Sequence, residues 1–167
     1  MSDVVAIDPG TKESGYCHLI GGGIAACGTL SNDILLDWLT NDHFGDVAVV
    51  FEKVTSYGKV IGASTLETVF WTGRMFQAAK RPEYFHRVVS RISRLDVKMH
   101  MCRSAKAGDK DIRKALIARY GAKGTKAHPG PLYPVSGHAW AALALAVTWL
   151  DRAACARLPR RRNLWKA

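Results

Sequence analysis

Three short stretches hold side chains whose type and placement could do chemistry. Asp8 ends the run Val4-Val5-Ala6-Ile7, Glu52 ends Val47-Ala48-Val49-Val50-Phe51, and His138 heads an alanine-rich segment. A short apolar run bounded by turn residues reads as a buried strand. Both carboxylates therefore fall at the C-terminal ends of strands, where the backbone must turn. For Asp8, which Pro9-Gly10 follows, the plain alternative is an Asx-type turn in which the carboxylate serves only its own loop. If the two strands lie side by side and parallel, the acids emerge at the same end, about one strand spacing (~4.8 Å) apart. Two carboxylates that close repel unless a cation lies between them. Hard oxygen ligands suit Mg2+, with Mn2+ as a substitute. Carboxylate-held Mg2+ beside a basic surface points to phosphodiester chemistry, in which two metal ions roughly 4 Å apart activate a water and stabilise the leaving oxygen.

His138 can ligate a metal or act as a general base, although a lone histidine near a helix start is more often a surface or capping residue. Positions 138 and 141 share a helical face. A two-metal site calls for a further carboxylate there, and residue 141 is alanine.

The elements that must position these groups follow from hydrophobic pattern. Residues 4–8, 15–20 and 24–30 read as three strands of an antiparallel meander, with Gly21-Gly22-Gly23 as a hairpin turn. Ser31 or Asn32 caps a helix carrying Ile34, Leu35, Trp38 and Leu39. Residues 47–52 are a strand buried on both faces. A helix over 60–80 carries Leu66, Val69, Phe70, Gly73 and Phe76 at helical spacing, ended by Arg81-Pro82. Residues 84–89 are expected as a fifth strand. Ser93 and Asp96 form a capping box before a helix over 97–101, and a second helix runs from Asp109 to a stop at Gly121. Residues 121–134 are expected as a mobile loop, and Ser136 as the cap of a last helix with His138, Ala142, Leu145 and Trp149 on one stripe. The fold class is α/β, with a mixed five-stranded sheet: three antiparallel strands, then parallel strands reached through crossover helices. One domain over residues 1–157 with a basic tail over 158–167 is expected.

The chain of 167 residues has a net charge of +10, unevenly placed. Residues 94–126 carry ten Lys or Arg against three acids, and residues 151–167 carry six against one. Two basic segments on an otherwise slightly acidic body indicate a polyanion, and nucleic acid first. No apolar run approaches the length of a membrane span, the Ser2-Asp3 start is not that of a signal peptide, and the four cysteines lack Cys-x-x-Cys spacing. These features predict a cytoplasmic protein with reduced cysteines and no membrane partner.

Four motifs in order resemble a known family. Ile7-Asp8-Pro9-Gly10-Thr11 with Ser14-Gly15-Tyr16, Phe51-Glu52-Lys53-Val54, and Gly137-His138-Ala139-Trp140-Ala141-Ala142-Leu143-Ala144 look like the three acidic motifs of RuvC-type Holliday junction resolvases, which belong to the RNase H-like nuclease superfamily. The spacing from Val97-Lys98 to Asp109-Lys110-Asp111-Ile112 is similar to the family's basic motif. The likeness covers residues 3–150, and the short chain is most similar to bacteriophage-encoded members. It implies a homodimer that binds four-way DNA junctions and makes two symmetric Mg2+-dependent nicks, leaving 5′-phosphate and 3′-hydroxyl ends. Asp8, Glu52 and His138 then carry over as catalytic metal ligands, and Lys98 and Lys110 as phosphate contacts. Arg103 and Lys106 flank the same face. Lys53 and Tyr57, in the loop after Glu52, are further candidate DNA contacts. Tyr57 could stack on an unpaired base at the crossover or be a packed loop tyrosine. Ala141 stands at the catalytic position where the family has aspartate, which implies an inactivated form, engineered or natural.

Two other classes remain alongside: a non-catalytic branched-DNA-binding protein, and an RNase H-like nuclease for other branched or hybrid substrates. Asp-x-Gly-Thr near an N-terminus also occurs in actin-like ATPases, but those need two lobes. The chain has room for one, so no nucleotide cofactor is expected.

Overall fold

A computed structural model describes residues 3–56, 58, 60–80, 83 and 87–157. The alternation of side chains in its central strands explains the architecture. In β1 (Val4–Asp8), Val4 and Ala6 enter one core and Val5 and Ile7 the other. In β4 (Ala48–Lys53), Val50 enters the first core, and Val49 and Phe51 the second. Strands buried on both faces need the near-continuous apolar runs that the sequence has. β2 (Glu13–Ile20) and β3 (Gly23–Ser31) complete the antiparallel meander through a turn in which Gly21 and Gly22 both take positive φ, the geometry of a primed hairpin turn. β5 (Val89–Ser93) pairs parallel with β4. The sheet order is β3-β2-β1-β4-β5, with β1 parallel to β4 and antiparallel to β2. The mixed five-stranded α/β sheet is as expected from the sequence.

Among the described residues, five helices cover it. α1 (Asn32–Thr40), capped by the Ser31 hydroxyl, and α2 (Ala63–Ala79) lie on one face. α3 (Arg94–Cys102), α4 (Asp109–Tyr120) and α5 (Ala139–Arg157) lie on the other. The Ser93–Asp96 capping box forms. All four cysteines are free.

Several expectations need correction. The fifth strand spans 89–93 rather than 84–89. Its Ser90 and Arg91 interrupt the apolar pattern, and pairing with β4 overrides it; residues 84–86 lie outside the described residues. α2 buries Thr72, Met75, Ala78 and Ala79, while Leu66, Val69 and Phe70 are exposed. Trp71 and Phe76 pack beside that buried face, and the stripe of Leu66, Val69 and Phe70 turns outward. α5 is not a one-sided helix. Residues 142–148 are all buried, because the sheet lies on one side and α3 and α4 on the other. Its stretch Ala139–Ala156 is, contrary to expectation, long and apolar enough by length and composition to cross a membrane. Here it runs along β1 and β2 as a core helix. Segment 121–134 is anchored: Leu132 is fully buried, and the Lys123 ammonium donates to the Val135 carbonyl at 2.9 Å. Tyr57 and the tail over 158–167 lie outside the described residues.

Candidate active site

Register brings the two acids together. Ile7 stands opposite Phe51 in the parallel pair, so Asp8 and Glu52 follow as neighbours at the same rim of the sheet. Alternation then aims both toward the face that α5 covers, the side of Ala6 and Val50. The third parallel strand, β5, ends beside them, and the chain continues from Ser93 into Arg94. Asp8, Glu52, Arg94, His138 and Ala141 line one cavity of about 450 Å3.

Asp8 is not the turn-maker of its loop. Ser14 holds the Pro9-Gly10 turn: its hydroxyl accepts from the Gly10 amide at 3.2 Å and donates to the Asn32 side-chain oxygen at 2.6 Å. The Asn32 amide in turn donates to the Gly10 carbonyl at 3.1 Å. This ring, with Ser14 and Asn32 buried, leaves the Asp8 carboxylate directed into the cavity.

His138 reaches Asp8 from the turn before α5, Nδ1 to Oδ2 at 3.5 Å, and its side chain is 63% exposed. It precedes the helix rather than lying within it; its carbonyl receives the first amides of α5, from Ala141 and Ala142. Glu52 receives the Arg94 guanidinium at 3.5 Å. Arg94 also pairs with Asp109, the first residue of α4.

Electrostatically, the acids are uncomfortable. Burial raises the Asp8 pKa above its ordinary value, against lowering by His138 and Arg94. Burial first, and the Asp8 charge second, push Glu52 up to about 7. Paired, desolvated oxygens of this kind favour a bound cation, and the donor set fits a hard divalent metal. Among the described residues no three Asp, Glu, His or Cys side chains are gathered into a preset coordination cluster; Asp8, Glu52 and His138 converge on the cavity without touching as a set.

Of the predicted DNA contacts, Lys53 lines a neighbouring recess with Pro9, Thr55 and Thr68, beside Asp8 and Glu52. Lys98, Arg103, Lys106 and Lys110 do not line this cavity. The cations that do are Arg94 and Arg113, and Arg113 lies 5.2 Å over the Trp140 ring. Sequence reasoning missed Arg94, Asp109 and Arg113. A signal existed for Arg94: it directly follows β5, at the same rim of the sheet where β1 and β4 carry Asp8 and Glu52.

No protein-family model matches the chain, and no curated protein matches it in sequence. Among solved structures the chain is similar to Thermus thermophilus RuvC, with a TM-score of 0.66 at 18% identity, covering 92% of this chain and 96% of that one. It is also similar to T. thermophilus RuvC in complex with a Holliday junction substrate, with a TM-score of 0.71 at 17% identity, covering 93% and 97%. At such identities the likeness shows the fold, which is RuvC-like.

Proposed function

We propose that the chain is a Mg2+-dependent, structure-specific endonuclease that resolves four-way DNA junctions. The observation that carries this reading is the Asp8–Glu52 pair, held on adjacent parallel strands of a RuvC-like sheet and sharing a cavity with His138. Asp8, Glu52 and His138 would hold Mg2+, or Mn2+ in its place. Bound there, the metal would supply Lewis-acid activation of water and charge stabilisation at the leaving oxygen. The protein's own groups do the rest. Where His138 does not ligate the metal, its free ring nitrogen takes a proton from the attacking water instead, the ring being directed by Asp8 through Nδ1. Arg94 and Arg113 balance phosphate charge at the same cavity.

DNA enters along a polar trough. Beside the acids lie Lys12, Ser64, Thr65 and Thr68 in one recess and Lys53 in another. Ammonium and hydroxyl groups of this kind hold phosphates and fix strand position without reading sequence. Lys98, Arg103, Lys106 and Lys110 extend the positive surface, and Tyr57 stacks on an opened base. The outward apolar stripe of α2 (Leu66, Val69 and Phe70) packs against a second copy, which places two sites on one junction. In this reading residues 1–157 form the nuclease domain and 158–167 a basic arm of a phage-encoded protein acting in the host cytoplasm.

One observation favours a second reading, a junction-binding protein without chemistry: Ala141 stands on the cavity wall. The test is Mg2+-dependent cutting of a synthetic four-way junction by the chain and by Ala141→Asp, with flap and RNA–DNA hybrid substrates alongside. Paired nicks with 5′-phosphate ends support the nuclease. Tight junction binding with no cutting by either protein supports the binding protein. Preference for the flap or the hybrid moves the substrate class.

A further inference from the structure

Residue 141 brings only a methyl group to the cavity, yet the cavity holds a third carboxylate. Asp109 lines it together with Asp8, Glu52 and His138. One contact connects it to the other acids: the Arg94 guanidinium lies between Glu52, at 3.5 Å, and Asp109. A cation belonging to the chain thus already bridges carboxylates from two elements. The opening of α4 divides its acids between two tasks. Asp111 turns back to accept the Gly108 amide at 2.9 Å, as a helix cap, and does not line the cavity. Asp109, with a side chain 78% exposed, makes no such cap and pairs with Arg94 at the cavity.

We infer that Asp109 completes the acidic set of the nuclease site, supplying from α4 the carboxylate that position 141 lacks on α5. Arg94 is the side chain that holds Glu52 and Asp109 while the site is metal-free and releases them to a divalent cation. The inference rests on the nuclease reading above. It makes Ala141 a compensated position, so the chain cuts junctions as it stands.

Metal binding tests this directly. Mn2+ titrations of the full chain, followed by the electron paramagnetic resonance of the free ion, compare the parent with Asp109→Asn, Asp109→Glu, Asp111→Asn, and Asp109→Asn combined with Ala141→Asp. Asp109→Asn should weaken Mn2+ binding at least about tenfold, the scale on which even outer groups of a metal site matter. Asp111→Asn, which removes a charge from the same helical turn, should leave affinity unchanged. Asp109→Glu should retain binding, and adding Ala141→Asp to Asp109→Asn should restore it. Parent affinity in Asp109→Asn would overturn the inference and leave the nuclease reading standing. Binding that appears only with Ala141→Asp would also overturn it, by returning the missing acid to α5. If neither the parent nor Ala141→Asp binds Mn2+ or cuts a junction, both readings fall.

Discussion

Gly15 and His138 meet where a side chain would collide. A Cβ on Gly15 would lie 2.5 Å from the His138 carbonyl oxygen and 2.7 Å from the His138 Cβ. Gly15 is also the antiparallel partner of Asp8. The bare backbone of β2 at this point is what lets the turn before α5 settle onto the sheet and set the imidazole beside Asp8. Gly15→Ala should push His138 away from Asp8 while β1, β4 and their acids stay in place. Displacement by about 1 Å can cost a hundredfold in rate, so single-turnover junction cutting should fall by roughly that factor with junction affinity intact. Full activity in Gly15→Ala would remove His138 from the chemistry.

Glu52 gives a pH signature. Its folded pKa, about 7, lies above the ordinary 4.5, so the folded state binds more protons than the unfolded one between those values. The metal-free protein should therefore lose stability as pH rises from about 4.5 to 7, by up to ~3 kcal/mol. The raised Asp8 pKa acts in the same sense. Half-buried His18, whose pKa is lowered by that burial, opposes it, so the comparison is with Glu52→Gln. Urea midpoints in EDTA at pH 5 and 8 should differ by less in that variant. Because metal binding expels the Glu52 proton, Mg2+ affinity should climb with pH up to about 7 and then level off.

The ring that braces the Pro9-Gly10 turn can be opened at one atom. Ser14→Ala strands the Asn32 side chain and the Gly10 amide, both served by the Ser14 hydroxyl. Buried groups left without partners cost about 1–3 kcal/mol. Asn32→Ala should cost a similar amount, and the double variant less than the sum. Denaturant melts of the four proteins measure the coupling.

The basic groups outside the cavity should behave as phosphate contacts. Removing Lys53, Lys98, Arg103, Lys106 or Lys110 singly should weaken binding to junctions of any sequence and lower the salt slope by roughly one. Titrations at several salt concentrations measure it, and a parent slope near zero would refute the electrostatic role of this surface.

The outward stripe of α2 makes a prediction about assembly. Phe70 is 57% exposed and Leu66 60%, a poor arrangement in water and a good one against a second copy. Leu66→Glu with Phe70→Glu should shift sedimentation from dimer to monomer and reduce paired nicking to single nicks. A parent that sediments as a monomer at assay concentration and on DNA would refute it.

Much of this site was legible because its two central acids end apolar runs, and the expected meander followed by crossover helices allowed those strands to be parallel neighbours, as they are. Once Phe51 falls beside Ile7, the placement of Asp8 and Glu52 is geometry. The bracing of the Asp8 turn was not legible, since Ser14 and Asn32 are 18 residues apart and meet only through the β2–β3 hairpin. Arg94 and Asp109 were hidden by local grammar: each opens a helix, and a polar residue there reads as part of a cap. The face that α2 turns to the core was not legible, because apolar residues lie at helical spacing on more than one side of it. The core takes Met75, Ala78 and Ala79, with Trp71 and Phe76 packed beside them, and leaves Leu66, Val69 and Phe70 outside.

The site has two halves of different mechanical character. Asp8 and Glu52 are tied to each other by the backbone ladder of two central strands, in the part of a protein that opens last. Their separation can change only if the sheet itself comes apart. His138 and Asp109 arrive at the starts of helices, each on a turn that can be re-cut without touching the ladder. An acid can therefore be lost from one helix and regained on another while the strand pair keeps its spacing. The rigid pair acts as a fixed anvil, and the helix ends are interchangeable tools brought to it.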